Sequence, residues 1–232
     1  MQAKPAAQTL SVATSGDYAP FSTWVLESDR PTGFAPAVLE TFARSADVSL
    51  AWSRFRWTDV AAGMREGRWD IVADGITVRP ERSIAGAFTI PIARGGAVLL
   101  LRRPAWAARD AGIHELDRKE LRVVVNRGGH LEHVAHALFH DAEVRAIPDN
   151  AAVRDALARG EADAAMTNTF EAPRWSAGLA GVETIGPLTN DVTALWVRAG
   201  REEIARQLDE WLLAAEKDGR LADLRARLLG PG

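Results

Sequence analysis

Three places in this sequence bring together residue types that could hold or transform a small charged molecule. The first follows the apolar run Trp69–Val72. It passes Gly75 and a hydroxyl at Thr77 and reaches Pro80-Glu81-Arg82. Backbone N–H groups at the glycine, Thr77 Oγ1 and the Arg82 fork could converge on one carboxylate, which guanidinium geometry suits in a bidentate pair. The alternative is a surface loop with a solvated arginine. The second place is Asn126-Arg127-Gly128-Gly129, followed at once by His130. Here an apolar strand meets a helix start, so N–H groups and the helix dipole face one spot. The run lacks the third glycine of a dinucleotide fingerprint, which excludes a nucleotide and leaves a small carboxylate, or simply a tight turn. The third is MTNTFEA, with Asn168 and Glu171 after another strand. Asn168 offers neutral hydrogen bonds. Glu171 could partner an ammonium, donate a proton if burial raises its pKa, or only complement a helix N-terminus. Tyr18 and Trp57 stand near strand ends, either as stacking walls for a ligand or as core aromatics.

Other chemistries are excluded or disfavoured. The chain has no cysteine, so disulfides, thiolates and zinc–cysteine sites are absent. Its only lysines are Lys4, Lys119 and Lys217, none in a GK[ST] setting or a strand-to-turn position suited to Schiff-base work. No GxSxG elbow is present. His130, His133, His136 and His140 share one helical arc, but no carboxylate completes a zinc motif, so neither a metal nor a cofactor is expected. A net charge of −3 over 232 residues, without a basic face, argues against nucleic acid. No apolar run nears the roughly 20 residues of a membrane helix, so no membrane insertion is expected. The N-terminus MQAKPAAQTL has no apolar signal-peptide core, and its polar Ala/Pro-rich lead would suit a processed secretory protein with an added start Met.

The elements that must position these residues alternate. Strands are expected at 10–13, 48–52 and 69–73, with helices at 36–46 and, capped by Thr58, at 58–64. This is the grammar of an open parallel α/β sheet, in which ligands lie beyond the carboxyl ends of the strands. A β run at 96–102 precedes a charged segment without helical pattern to Lys119. The grammar then repeats: strand 121–125, helix 130–140, strand 143–147, a helix capped by Asn150 and ending at Gly160, strand 162–166. The join Gly67-x-x-Asp70 recurs as Gly160-x-x-Asp163, which argues for two similar lobes. Strands at 182–185 and 192–197 and two amphipathic helices, 202–216 and 221–229, complete the chain. The helices are expected to pack back on the first lobe. It would then comprise 1–101 and 189–232, with 102–188 as the second lobe and two crossing strands as the hinge.

GDYAPFS, then Gly33-Phe34, then EGRWDIVADGITVRPER, FTIP and the C-terminal KDGRLADLRARLLG resemble the family 3 solute-binding proteins of amino-acid ABC transporters over nearly the whole chain. The resemblance implies a type II periplasmic binding protein fold: two α/β lobes that close on a ligand in the cleft between them. It further implies a periplasmic monomer, a small carboxylate ligand and an ABC permease as partner. Within the family, Gly16–Ser22, Asn126–Gly129, Pro148–Asn150 and Met166–Ala172 are similar to the cyclohexadienyl dehydratases, enzymes built on this fold. That subgroup implies Glu171 as general acid for prephenate or arogenate and Asn126 as a further catalytic residue. The family pattern places the carboxylate-binding arginine at Arg82 and its hydroxyl partner at Thr77. Two positions depart from the pattern. Arg94-Gly95-Gly96-Ala97 lacks the lysine of the dehydratases, and Asn168 replaces the acid that pairs with an amino acid's ammonium. Losing an ionic contact of about 1.5–3 kcal/mol disfavours ordinary amino acids. The leading expectation is therefore a non-enzymatic binder of a small carboxylate, amino-acid-like or a keto or hydroxy acid, of which the last two fit better. It uses Arg82, Thr77 and Gly75 from one lobe, Asn126, Gly128, Gly129, His130, Asn168 and Glu171 from the other, and Tyr18 and Trp57 as walls. The dehydratase is the alternative.

Overall fold

A computed structural model describes residues 8–103 and 112–230. From the N-terminus, β1 (Thr9–Thr14) leads into a small antiparallel meander of β2 (Asp17–Tyr18), β3 (Ser22–Val25) and β4 (Arg30–Thr32). Helix α1 (Phe34–Ala46) follows because Phe34, Val38, Leu39 and Phe42 recur at helical spacing and are all buried; it stops where Asp47 turns left-handed at φ 54°. Then come β5 (Ser49–Arg54), α2 (Val60–Arg65), β6 (Ile71–Val72), a 3₁₀ turn at Pro80–Arg82, β7 (Gly86–Phe88) and β8 (Ala93–Gly95). The next segment carries β9 (Ala97–Arg102), β10 (Arg122–Asn126), α3 (His130–Leu138), β11 (Glu143–Ile147), α4 (Asn150–Ala158), β12 (Ala164–Asn168), α5 (Ala172–Ser176) and β13 (Val182–Ile185). The chain ends with β14 (Asp191–Thr193), β15 (Trp196–Arg198), α6 (Glu202–Lys217) and α7 (Arg220–Leu228).

Two compact units result, one running to Ala93 and resuming at Val192, the other spanning Arg94–Asp191. The first is discontinuous, and both C-terminal helices belong to it. The crossings fall after Ala93 and Asp191, not after 101 and 188 as the sequence suggested. The reason is pairing: β9 runs antiparallel to β12 and β13, so the apolar run expected to close the first lobe is a central strand of the second. Three local expectations also shift. Helix α2 starts after Asp59 rather than at a Thr58 cap, and Asp149 rather than Asn150 caps α4 by accepting from Ala151 N–H at 2.8 Å. The run 192–197 forms two short strands with Ala194 and Leu195 between them. Of the stretch expected without helical pattern, 104–111 lie outside the described residues, and Ile113–Leu116 makes a 3₁₀ turn.

Each unit has a five-stranded sheet, in the order β5-β1-β6-β15-β7 and β11-β10-β12-β9-β13. In both, the first three strands are parallel and the fourth is antiparallel to its neighbours. The repeated Gly-x-x-Asp join explains the match. Gly67 and Gly160 both take φ +73°, a left-handed turn that glycine adopts without steric cost. The Asp70 carboxylate then takes the Ser11 N–H of β1, and Asp163 takes the Arg122 N–H of β10. In return the Asp70 and Asp163 N–H groups donate to the carbonyls of Ser11 and Arg122. The antiparallel strand is tied to the same spot, Arg198 N–H to Asp70 O and Arg102 N–H to Asp163 O. Both acids carry arginines: Arg198 and Arg201 on Asp70, Arg122 on Asp163. Burial pushes the Asp70 carboxyl up, but the two Ser11 bonds and the arginines hold it below its ordinary value.

Candidate functional site

In the first unit, Asp74 organises the carboxyl ends of β1 and β6. Its fully buried carboxylate accepts from Thr14 Oγ1 (3.0 Å), Ser15 N (2.6 Å), Ser22 Oγ (3.1 Å) and Gly75 N (2.8 Å). Burial pushes this carboxyl up, while the N–H groups of Ser15 and Gly75 and the hydroxyls pull against it. The result is a fixed loop from Thr14 to Ser22 that carries Tyr18. The Tyr18 ring lies directly on Gly75, where a Cβ would come within 2.1 Å of Tyr18 Cε1. Gly75 is therefore the floor under an aromatic ring as well as part of a turn. Tyr18 is half-buried, stacked on Phe21 at 5.5 Å and edge-on to Trp57 at 5.4 Å. Trp57 itself is a core residue that also packs edge-on to Phe55 and donates its indole N–H to Asp17 at 3.2 Å. It supports Tyr18 from behind.

Arg82 ends the 3₁₀ turn, and its backbone N–H donates to Arg79 O. Although an arginine, it is only 8% exposed. Its guanidinium donates from Nη1 to Thr77 O at 2.8 Å, and among the described residues it makes no carboxylate ion pair. Burial is the main reason its pKa falls to about 10; Arg79 adds to the fall, and Tyr18 and Glu81 oppose it. The neighbouring acid Glu81 is engaged by Arg79 at 3.3 Å. The Thr77 segment is pinned by the returning chain, through the Thr77–Thr193 bridge and Val78 N–H to Val192 O at 2.8 Å. The unit thus brings Gly75, Thr77, Tyr18 and Arg82 to one end of its sheet, with a buried cation that lacks an acid partner among the described residues.

In the second unit, Glu171 is 1% exposed at the start of α5. It accepts from Asn150 Nδ2 (2.6 Å), Thr167 Oγ1 (2.8 Å) and Asn168 Nδ2 (3.1 Å). The orientation of Asn168 is set by its own oxygen, which takes the N–H groups of Phe170 and Glu171. Three side chains therefore present hydrogens to Glu171, as a buried carboxylate requires. The turn after β10 differs from expectation. Gly128, at φ +80°, donates its N–H to Glu132 Oε2 at 2.6 Å, so a carboxylate of the chain's own first helical turn fills that position. Gly129 is the residue before α3. Asn126 is 7% exposed and its Oδ1 is buried without a partner. His130 Nε2 lies 3.0 Å from Asp191 Oδ1, and its Nδ1 is buried without a partner. No arginine nearby is well placed to stand in for the missing lysine of the resemblance: Arg94 is exposed, and Arg127 is exposed with Nη2 on Ala146 O. Ala97, which stands where the lysine was expected, is fully buried in β9.

Among the described residues, no group of three or more His, Asp or Glu converges as a metal site, and no helix is long and apolar enough to cross a membrane. Sequence reasoning passed over Asp74, Thr167, Thr189 and Asp191 as functional groups and read Asn150 only as a cap. Asp74 had a readable signal, an acid directly after a buried strand with hydroxyls waiting at 14, 15 and 22. Asp191 had none, since the His130 ring it meets is 61 residues away.

Residues 10–231 match the family of bacterial extracellular solute-binding proteins, family 3. The chain belongs to that family. It is 30% identical over 215 residues to a cyclohexadienyl dehydratase of Pseudomonas aeruginosa, covering 91% of this chain and 79% of that protein. The L-cystine-binding protein TcyJ of Escherichia coli is 23% identical, over 96% of this chain and 83% of its own length. Among solved structures, an ancestral amino acid-binding protein, a precursor of cyclohexadienyl dehydratase, is 27% identical and superposes with a TM-score of 0.85 over 95% of both chains. A putative ABC transporter binding component of Wolinella succinogenes complexed with lysine gives a TM-score of 0.88 at 22% identity over 96% of both chains, a likeness of fold. The type II periplasmic binding protein fold and the similarity to the dehydratase subgroup, both expected from the motifs, are thereby found.

Proposed function

We propose that this family 3 protein is a periplasmic solute-binding protein that captures a small carboxylate and delivers it to an ABC permease. The observation that carries this reading is Arg82: a buried guanidinium bonded to the Thr77 carbonyl and, among the described residues, without an acid partner. Burying a cation without a counter-charge is unfavourable, and a ligand carboxylate would supply the missing charge in bidentate form. Thr77 and the Gly75 turn flank it, and Tyr18 provides an aromatic surface beside it. Asn126, His130, Asn168 and Glu171 of the second unit are proposed to govern which other groups the ligand carries. Asn168, whose oxygen is occupied by two backbone N–H groups, offers no charge to an ammonium, so an amino group at that position would meet only a neutral partner.

A second reading is favoured by one observation, the burial of Glu171 among Asn150, Thr167 and Asn168, together with the relative named a cyclohexadienyl dehydratase. In that reading Glu171 protonates the departing hydroxyl of prephenate or arogenate as carbon dioxide leaves. The proton would have to reach an oxygen that already receives a hydrogen bond. This arrangement suits an acceptor better than an acid and places the binding reading first. One experiment separates the two. Thermal unfolding is followed with amino, keto and hydroxy acids, and prephenate and arogenate are tested for conversion to phenylpyruvate and phenylalanine. Stabilisation by an unreactive carboxylate without turnover is expected. Turnover that disappears in Glu171→Gln would overturn the binding-only reading.

A further inference from the structure

The turn from Asn126 to His130, at the start of α3, looks in the sequence like a place for an anion. Its atoms say otherwise. The Gly128 N–H is taken by Glu132, so the chain already provides a carboxylate there. At the two ends of the same turn lie two buried atoms without partners, Asn126 Oδ1 and His130 Nδ1.

The protonation of His130 follows from a chain of hydrogen bonds that starts on the backbone. The Ala97 N–H donates to Thr189 Oγ1 at 2.8 Å, so the Thr189 hydroxyl hydrogen turns to Asp191 Oδ2 at 2.9 Å. The other oxygen, Asp191 Oδ1, faces His130 Nε2 at 3.0 Å. An ionised carboxylate only accepts, so Nε2 carries the hydrogen and, in the neutral ring, Nδ1 is a bare lone pair. Turning the ring over would break the Asp191 bond, which fixes the orientation. The Asn126 amide can swing, but His130 cannot, and the imidazole therefore decides the character of the turn. A buried acceptor left unpaired is unfavourable, and a suitable ligand group would recover that loss.

We infer that the β10–α3 turn is a subsite for a hydrogen-bond donor, so that the captured carboxylate carries a hydroxyl or ammonium group recognised by His130 Nδ1 and Asn126 Oδ1. This rests on the reading of the protein as a carboxylate binder and narrows its ligand class. Bare keto acids have only acceptors to offer and leave both atoms unpaired. Asp191 and Thr189 act as positioning residues that set the tautomer.

The test compares matched acids on the wild-type protein at pH 8 by calorimetry: pyruvate, lactate and alanine, and phenylpyruvate, phenyllactate and phenylalanine. The hydroxy or amino member of a binding set should bind at least about tenfold more tightly than its keto counterpart. That preference should fall severalfold in Asn126→Leu. Should that variant fail to fold, Asn126→Asp should raise the preference for the amino acid. Equal binding of keto and hydroxy or amino members, or a preference that neither variant alters, would overturn the inference. A failure of the binding reading is seen separately, as no acid of either set binding. The ¹⁵N signals of the His130 ring then decide: a hydrogen on Nε2 with a bare Nδ1 supports the donor subsite, and a hydrogen on Nδ1 overturns it.

Discussion

Replacing Arg82 with methionine should separate folding from binding. The guanidinium pays for burial with a pKa brought down to about 10. At roughly 1.4 kcal/mol per tenfold, the charged form is disfavoured in the folded protein by about 3 kcal/mol relative to water. That figure is a net cost of the charged form and already includes its hydrogen bond to Thr77 O. Methionine removes the charge and keeps much of the buried stem, so Arg82→Met should not lower ligand-free stability by more than about 1 kcal/mol. Binding should respond differently. Removing one partner of a buried charge pair costs about 2–5 kcal/mol, and 3 kcal/mol is about 150-fold in Kd. A ligand at 100 times its Kd adds about 2.7 kcal/mol to wild type. At the same concentration it would add only about 0.3 kcal/mol to the variant. The assay is thermal or urea unfolding with and without the stabilising carboxylate. Two results would refute the reasoning: a variant several kcal/mol less stable without ligand, which would make Arg82 structural, or a variant that keeps the full ligand shift.

Gly75→Ala should displace the Tyr18 ring, because the new methyl would sit 2.1 Å from Cε1; a stability loss of about 1–3 kcal/mol and weaker ligand binding are expected in unfolding titrations. Asp70→Asn tests the frame of the first unit through pH. The Asp70 carboxyl is held below its ordinary value when folded, so its stabilisation is present above the unfolded pKa and is lost as pH falls through the lower folded one. Urea midpoints should therefore fall steeply below about pH 4 in wild type, and Asp70→Asn should be less stable at neutral pH with a flatter acid limb; parallel curves would contradict this.

Much of the frame was readable because it repeats. The Gly67-x-x-Asp70 and Gly160-x-x-Asp163 joins announced two lobes, and both sheets close on them identically. The position of the crossings was not readable. Ala97–Arg102 is an apolar run that suits either sheet, and only its pairing with β12 and β13, over 60 residues away, assigns it. Arg82, Tyr18, Gly75 and Glu171 were singled out as candidates by strand-end positions and motifs. Their partners were not, because Asp74, Asn150 and Asp191 act through contacts that no local spacing reveals. The Gly128 N–H was misjudged for a local reason: Glu132, four residues on, reaches back to it.

The repetition also shows where the units part company. Val12 faces Ile71 in one sheet and Val123 faces Ala164 in the other, so Asp70 corresponds to Asp163. Counting on from these acids, Asp74 corresponds to Thr167 and Gly75 to Asn168. At the amino ends of the strands the chemistry is the same in both units, an acid joining neighbouring strands. At the carboxyl ends it diverges. The first unit engages its buried acid, Asp74, with local N–H and hydroxyl groups and, among the described residues, leaves the cation Arg82 without one. The second unit has Thr167 there and sets its acid, Glu171, four residues later among amides. A frame duplicated in backbone terms thus carries a buried cation at that end of one unit and a buried acid held by amides and a hydroxyl at the same end of the other.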